Sequence, residues 1–129
     1  IINGCVGVLD GYLTETSTVS RAEVGNVKAY FSGHYQCYGV NVQGMVLDSR
    51  CRFLFLAAAA PGGTNDIVAF RKCGIQRYIN SLSLGRYVIG DNAYVCSEQL
   101  LTPFAGVERN DLRKDAYNFY VSQLRIRIE

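Results

Sequence analysis

Apolar and polar positions along the chain alternate first with a period of two and later with a period near 3.6, which predicts strands followed by helices. Residues Gly4 to Thr14 alternate loosely, with Val6, Val8 and Leu9 leading into Asp10-Gly11, and predict a strand that ends near Asp10. From Gln36 to Leu47, Tyr38, Val40, Val42, Gly44 and Val46 share one face of a second strand. Asp48-Ser49-Arg50 reads as a turn, so this strand forms a hairpin with the next, Arg52 to Ala60. The latter is apolar on both faces as far as its alanines, as expected of a central strand covered on both sides. Pro61-Gly62-Gly63 breaks the pattern, and Thr64 or Asn65 can cap a helix from about Asp66 through Ile67 and Phe70 towards a stop at Gly74. Tyr87-Val88-Ile89 is a short buried strand bounded by Gly85 and Gly90-Asp91-Asn92, and it can pair in parallel with the earlier ones because a helical segment precedes it. From Asn110 onward Tyr117, Val121, Leu124 and Ile128 form an apolar helical stripe, with Asn118, Ser122, Arg125 and Glu129 on the neighbouring stripe. The predicted class is α/β, a mixed sheet flanked by helices.

The chain has 129 residues, 49% of them apolar, which suits one domain and excludes a disordered tail. Its net charge is only +2, so any affinity for nucleic acid must come from a local patch. The longest apolar run, Phe53 to Ala60, falls well short of the roughly 20 residues that cross a bilayer, and no membrane association is expected. The opening IINGCVGVLDG lacks the features of a signal peptide. Starting at Ile1 and ending inside a helical pattern at Glu129, the chain reads as a piece of a longer protein. Internal repeats and low-complexity segments are absent from the sequence. Cys5, Cys37, Cys51, Cys73 and Cys96 never form Cys-x-x-Cys, so they are expected as reduced, mostly buried thiols. With His34 as the lone histidine, triads and mixed Cys/His zinc sites have little to work with, which leaves carboxylate chemistry.

Two acids stand beside glycine at predicted strand ends, Asp10 and Asp91. Each alone reads as a turn residue. On neighbouring strands, however, both would emerge at one sheet edge, where an acid from the closing helix could meet them. Like charges so close need a cation, and hard oxygen ligands favour Mg²⁺ or Mn²⁺. Two such ions about 3.5 to 4 Å apart are a known device for in-line displacement at phosphorus. In Lys28 to Tyr38, Lys28 and His34 could lie near phosphate while Tyr30 or Tyr35 stacks on a base, or the segment is an ordinary loop and strand start. Arg125 and Arg127 could contact phosphates, or Arg125 could pair with Glu129 one turn on.

The ordered set Val8-Leu9-Asp10-Gly11, Tyr30-Phe31-Ser32-Gly33-His34-Tyr35, Asn41-Val42-Gln43, Pro61 to Asp66, Ile89 to Tyr94 and Ser122 to Glu129 resembles the DDE superfamily endonuclease domain of PIF/Harbinger-type transposases. The resemblance spans nearly the whole chain, and the 37 residues between Asp91 and Glu129 are similar to the family's interval. It implies that residues 1–129 form one RNase H-like catalytic domain, ending at its third acid, that cleaves and joins DNA strands with two Mg²⁺ or Mn²⁺ ions. Asp10 would be the first acid and the bridging ligand, Asp91 the second and Glu129 the third. Asp66 is a fourth candidate, either positioning a metal-bound water or simply starting a helix; the family often has His before it, where this chain has Asn65. The implied partners are transposon ends and target DNA, with end recognition supplied by a separate DNA-binding domain or partner protein and with self-association left open. A nuclear location follows from the substrate. Rival readings are a domesticated, inert module that binds DNA or protein, and a nuclease of RNA or hybrids on the same fold.

Overall fold

The computed structural model describes residues 3–47 and 50–126. Its elements are β1 (Cys5–Glu15), α1 (Arg21–Val24), a 3₁₀ turn (Val27–Tyr30), β2 (Phe31–Ser32), β3 (Cys37–Leu47), β4 (Arg52–Pro61), α2 (Asp66–Lys72), α3 (Ile75–Asn80), β5 (Tyr87–Ile89), β6 (Leu100–Leu101), a second 3₁₀ turn (Gly106–Asn110) and α4 (Leu112–Arg125). The sheet runs β2-β3-β1-β5-β6, with β4 also paired to β3. β3 is antiparallel to both β1 and β4, whereas β5 joins β1 and β6 joins β5 in parallel. The parallel return of β5 requires a crossover, and α2 and α3 supply it. The result is the expected α/β class, an RNase H-like mixed sheet flanked by helices.

Alternation along the strands sorts the residues into two layers. Leu9 and Met45 are cross-strand partners, and Phe70, Ile75, Ile79, Val88, Tyr94 and Leu100 close over them in the main core under α2 and α3. Val8, Val46 and Ile89 belong to the other face; α4 packs against β1 and buries Val121 completely. The Asn65 side chain starts α2 by accepting from the Val68 backbone N–H at 3.1 Å, and Gly74, at φ 79°, stops it in the left-handed conformation. Asp111 caps α4 through the Arg113 N–H at 2.8 Å. Asn118 grips the Phe104 backbone, accepting from its N–H at 2.8 Å and donating to its carbonyl at 2.9 Å.

Several expectations change. β1 does not end near Asp10 but continues to Glu15, because β3 pairs with it throughout; Asp10 and Gly11 face Gly44 and Gln43 in the ladder instead of turning. β4 is not central: it pairs with β3 alone among the described residues, and Phe53 and Leu56 are more than half exposed. The face of β3 opposite its valines is buried too and carries Asn41, Gln43 and Met45. The short elements α3 and β6 had no individual signal. The five thiols are free as expected, yet none is fully buried, and Cys51, in the turn before β4, and Cys96, in a loop, are exposed. Asp48, Ser49, Arg127, Ile128 and Glu129 lie outside the described residues. Of the helices described, none is long and apolar enough to cross a membrane.

Candidate active site

The parallel register of β1 and β5 brings together two acids that are far apart in the sequence. Val8 pairs with Ile89, so Asp10 and Asp91, each two positions further on, follow on neighbouring strands and share a face. β5 stops at Ile89 while β1 continues, and this leaves one side of β1 open from the acids onward. Arg125, in the last turn of α4, reaches the same point: its Nη2 lies 3.8 Å from Asp10 Oδ2 and 3.9 Å from Asp91 Oδ2. These are ion-pair distances, longer than charged hydrogen bonds. The remaining oxygens are fixed locally, Asp10 Oδ1 accepting from the Gly11 N–H and Asp91 Oδ1 from the Ala93 N–H, both at 2.9 Å. All three side chains are about four-fifths buried, so the guanidinium offsets a repulsion that water screens only in part.

Asp66 meets β1 from the other face. A Cβ on Gly11 would come within 2.3 Å of Asp66 Oδ1, so this position must be glycine for the carboxylate to lie where it does. That oxygen accepts from Asn41 Nδ2 at 2.9 Å and from Gln43 Nε2 at 3.2 Å. Gln43 Nε2 also donates to Asn41 Oδ1 at 2.9 Å, and the Tyr94 hydroxyl donates to Gln43 Oε1 at 2.7 Å. Asn41 donates in addition to the Thr64 carbonyl at 3.1 Å, which ties the loop before α2 to β3. Gln43 is wholly buried, so its amide needs each of these partners. Asn41 and Gln43 stand in a sequence motif, but their role has no local signature beyond two amides one pleat apart on a strand.

Burial pushes the Tyr94 hydroxyl far above its ordinary value of 10, and the negative charges of Asp66, Asp10 and Asp91 push it further. It therefore stays protonated in the folded protein and donates to Gln43. An unfolded tyrosine ionises from about pH 10 upward, so Tyr94 contributes stability that is fully present below pH 10 and is lost as pH rises beyond it. The expected slope is about 1.4 kcal/mol per pH unit. Urea unfolding midpoints measured between pH 9 and 11 should fall less steeply for Tyr94→Phe than for the parent; parallel slopes would refute the assignment.

The acids line a groove of about 860 Å³ whose walls include Arg125, Asp66, Asn41, Gly62 to Asn65 and the His34–Tyr35 pair. His34 and Tyr35 meet edge to face at 4.7 Å, on a loop held by the Tyr35 N–H to Ser32 Oγ bond and by Gln36 at φ 56°. Lys28 is exposed on the first 3₁₀ turn and does not line the groove. Thus the structure gathers Asp10, Asp91, Arg125, Asp66, His34 and Tyr35 about one groove, while Arg127 and Glu129 lie outside the described residues. Among the described residues, no three carboxylates, imidazoles or thiols stand together as a metal cluster.

A mixed sheet built on an antiparallel hairpin, with two aspartates brought together where its parallel strands adjoin, is an RNase H-like arrangement. The model of the DDE superfamily endonuclease family matches residues 9–129, and the chain belongs to that family. No curated protein and no solved structure matches the chain.

Proposed function

We propose that the chain is the metal-dependent DNA-cleaving and strand-transferring domain of a PIF/Harbinger-like transposase, with Asp10, Asp91 and Glu129 as its three acids. The observation that carries this reading is the meeting of Asp10 and Asp91 beside a single guanidinium at the mouth of an open groove. The donor set fits divalent ions: the carboxylate oxygens are hard ligands, and the Arg125 guanidinium already places positive charge between them. When bound, two Mg²⁺ or Mn²⁺ ions would activate the attacking oxygen and stabilise the leaving one.

The residues supply everything else. Asp10 and Asp91 would hold the ions, and their backbone hydrogen bonds restrict how each carboxylate turns. Glu129, four positions after Arg125 in the sequence, would complete the set. Asp66, fixed by two amides, borders the groove as a further anionic group that can orient water. His34 and Tyr35 offer ring faces to a base, and Arg125, Arg127 and Lys28 offer charge to phosphates. Transposon ends and target DNA are the partners, with end recognition by a separate domain or protein, and the work is done in the nucleus.

The test is nicking of a supercoiled plasmid by the chain in Mn²⁺, in Mg²⁺ and in EDTA. Ion-dependent relaxation is the expected result. Retention of DNA without cleavage in either ion would favour an inert binding module, and preferential cleavage of an RNA–DNA hybrid would redirect the assignment to another RNase H-like activity.

A further inference from the structure

We infer that Arg125 is the resident counter-ion of the acidic pair, that divalent cations must displace it to bind, and that it thereby couples metal binding to the arrival of a phosphodiester. The inference rests on the metal-dependent nuclease reading and extends it to a residue that reading leaves as a general phosphate contact. One guanidinium nitrogen stands 3.8 and 3.9 Å from an oxygen of each aspartate, and the side chain is four-fifths buried. The helix that carries it is anchored one turn earlier by Val121, which is wholly buried, so the guanidinium is directed at the acids by the packing of α4.

Oxygens that share one Mg²⁺ at roughly 2.1 Å each must close to within about 4.2 Å of one another. A guanidinium within 4 Å of both aspartates sets its positive charge beside the position such an ion would take. The two positive charges also repel at that separation, so both cannot sit between the carboxylates at full strength. Arg125 itself lines the groove, which gives the displaced side chain an open space to enter without unfolding α4. A phosphodiester in that groove would accept its planar fork in a bidentate contact. DNA then favours the released position, and release favours metal; by linkage, metal favours DNA to the same degree. Without DNA the arginine keeps the two carboxylates together and keeps metal affinity low.

The experiment is Mn²⁺ titration of the full chain, read by water-proton relaxation, for the parent, Arg125→Gln and Arg125→Lys, with and without a short DNA duplex. Removing the competitor should tighten Mn²⁺ binding by Arg125→Gln about tenfold, with Arg125→Lys between the two because an ammonium cannot fork across two carboxylates. The duplex should tighten Mn²⁺ binding by the parent and have little effect on Arg125→Gln. If the Gln variant does not fold, by circular dichroism, the Lys variant carries the comparison. Equal or weaker Mn²⁺ binding by the variants overturns the role of Arg125 and leaves the nuclease reading intact. Failure of every protein to bind Mn²⁺ overturns both.

Discussion

Asp91→Asn is expected to abolish ion-dependent cleavage while leaving the fold and DNA binding in place. Asparagine matches aspartate in shape and keeps a side-chain oxygen for the Ala93 N–H, so the turn after β5 is preserved. What is lost is the negative charge that faces Arg125 and that would hold a divalent ion. A metal site supplies several kcal/mol of charge stabilisation to a phosphoryl-type transition state, and a loss of about 4 kcal/mol lowers the rate about a thousandfold. Initial nicking rates, paired with fluorescence anisotropy on a labelled duplex, check both halves of the expectation. A variant that still cleaves within about tenfold of the parent rate would remove Asp91 from the chemistry, whereas a parallel collapse of anisotropy and of the circular dichroism spectrum would make its role structural.

Gln43→Leu has the largest expected effect on stability. The two side chains are close in volume, so packing around β3 changes little, but the amide connects Tyr94, Asn41 and Asp66 through three hydrogen bonds. Its loss leaves the Tyr94 hydroxyl buried without its acceptor and leaves Asp66 Oδ1 with Asn41 as its remaining amide donor. An orphaned buried polar group costs about 1 to 3 kcal/mol, and the charge on Asp66 raises that figure. A total near 3 kcal/mol corresponds to a fall in melting temperature of about 10 °C for a domain of this size. The double variant Gln43→Leu, Tyr94→Phe should regain part of the loss, since it removes both partners of the strongest bond. A single variant that melts within about 2 °C of the parent would show that the buried amide relay contributes little.

The acidic pair was legible in the sequence because Asp10 and Asp91 each follow a short apolar run that reads as a strand, and two such strands, if neighbours and parallel, present acids at corresponding positions together. The form of β1 was not legible. Asp10-Gly11 is a local turn signal, and it is overridden by a cross-strand pairing with Gly44 and Gln43 that no local pattern reveals. β4 misled for a related reason. Its apolar positions suggest cover on both faces, but Phe53 packs its ring over Gly44 of the neighbouring strand, where a Cβ would lie 3.3 Å from it, and stays largely exposed beyond that contact. Asn41 and Gln43 stand in a motif, but nothing local marked them as interior, because polar residues in a strand read as its solvated face; the approach of Asp66 and Tyr94, both distant in sequence, shows them to be interior. For Arg125 the helical spacing suggested a phosphate contact or a pairing with Glu129 one turn on; its ion-pair distances to the two strand aspartates are contacts that helical periodicity cannot supply.

The order of assembly follows from the same topology. β1, β3 and β4 close by antiparallel pairings between near neighbours, so their ladder can form early and at modest entropic cost. β5 reaches β1 only after the chain has crossed back through α2 and α3, and pairings of such long range are the slow steps of folding. The carboxylates therefore come together late, after the antiparallel ladder already exists. A chain emerging from the ribosome carries no assembled aspartate pair until β5 has docked, so on the proposed function competence to break DNA would arrive only with the completed fold.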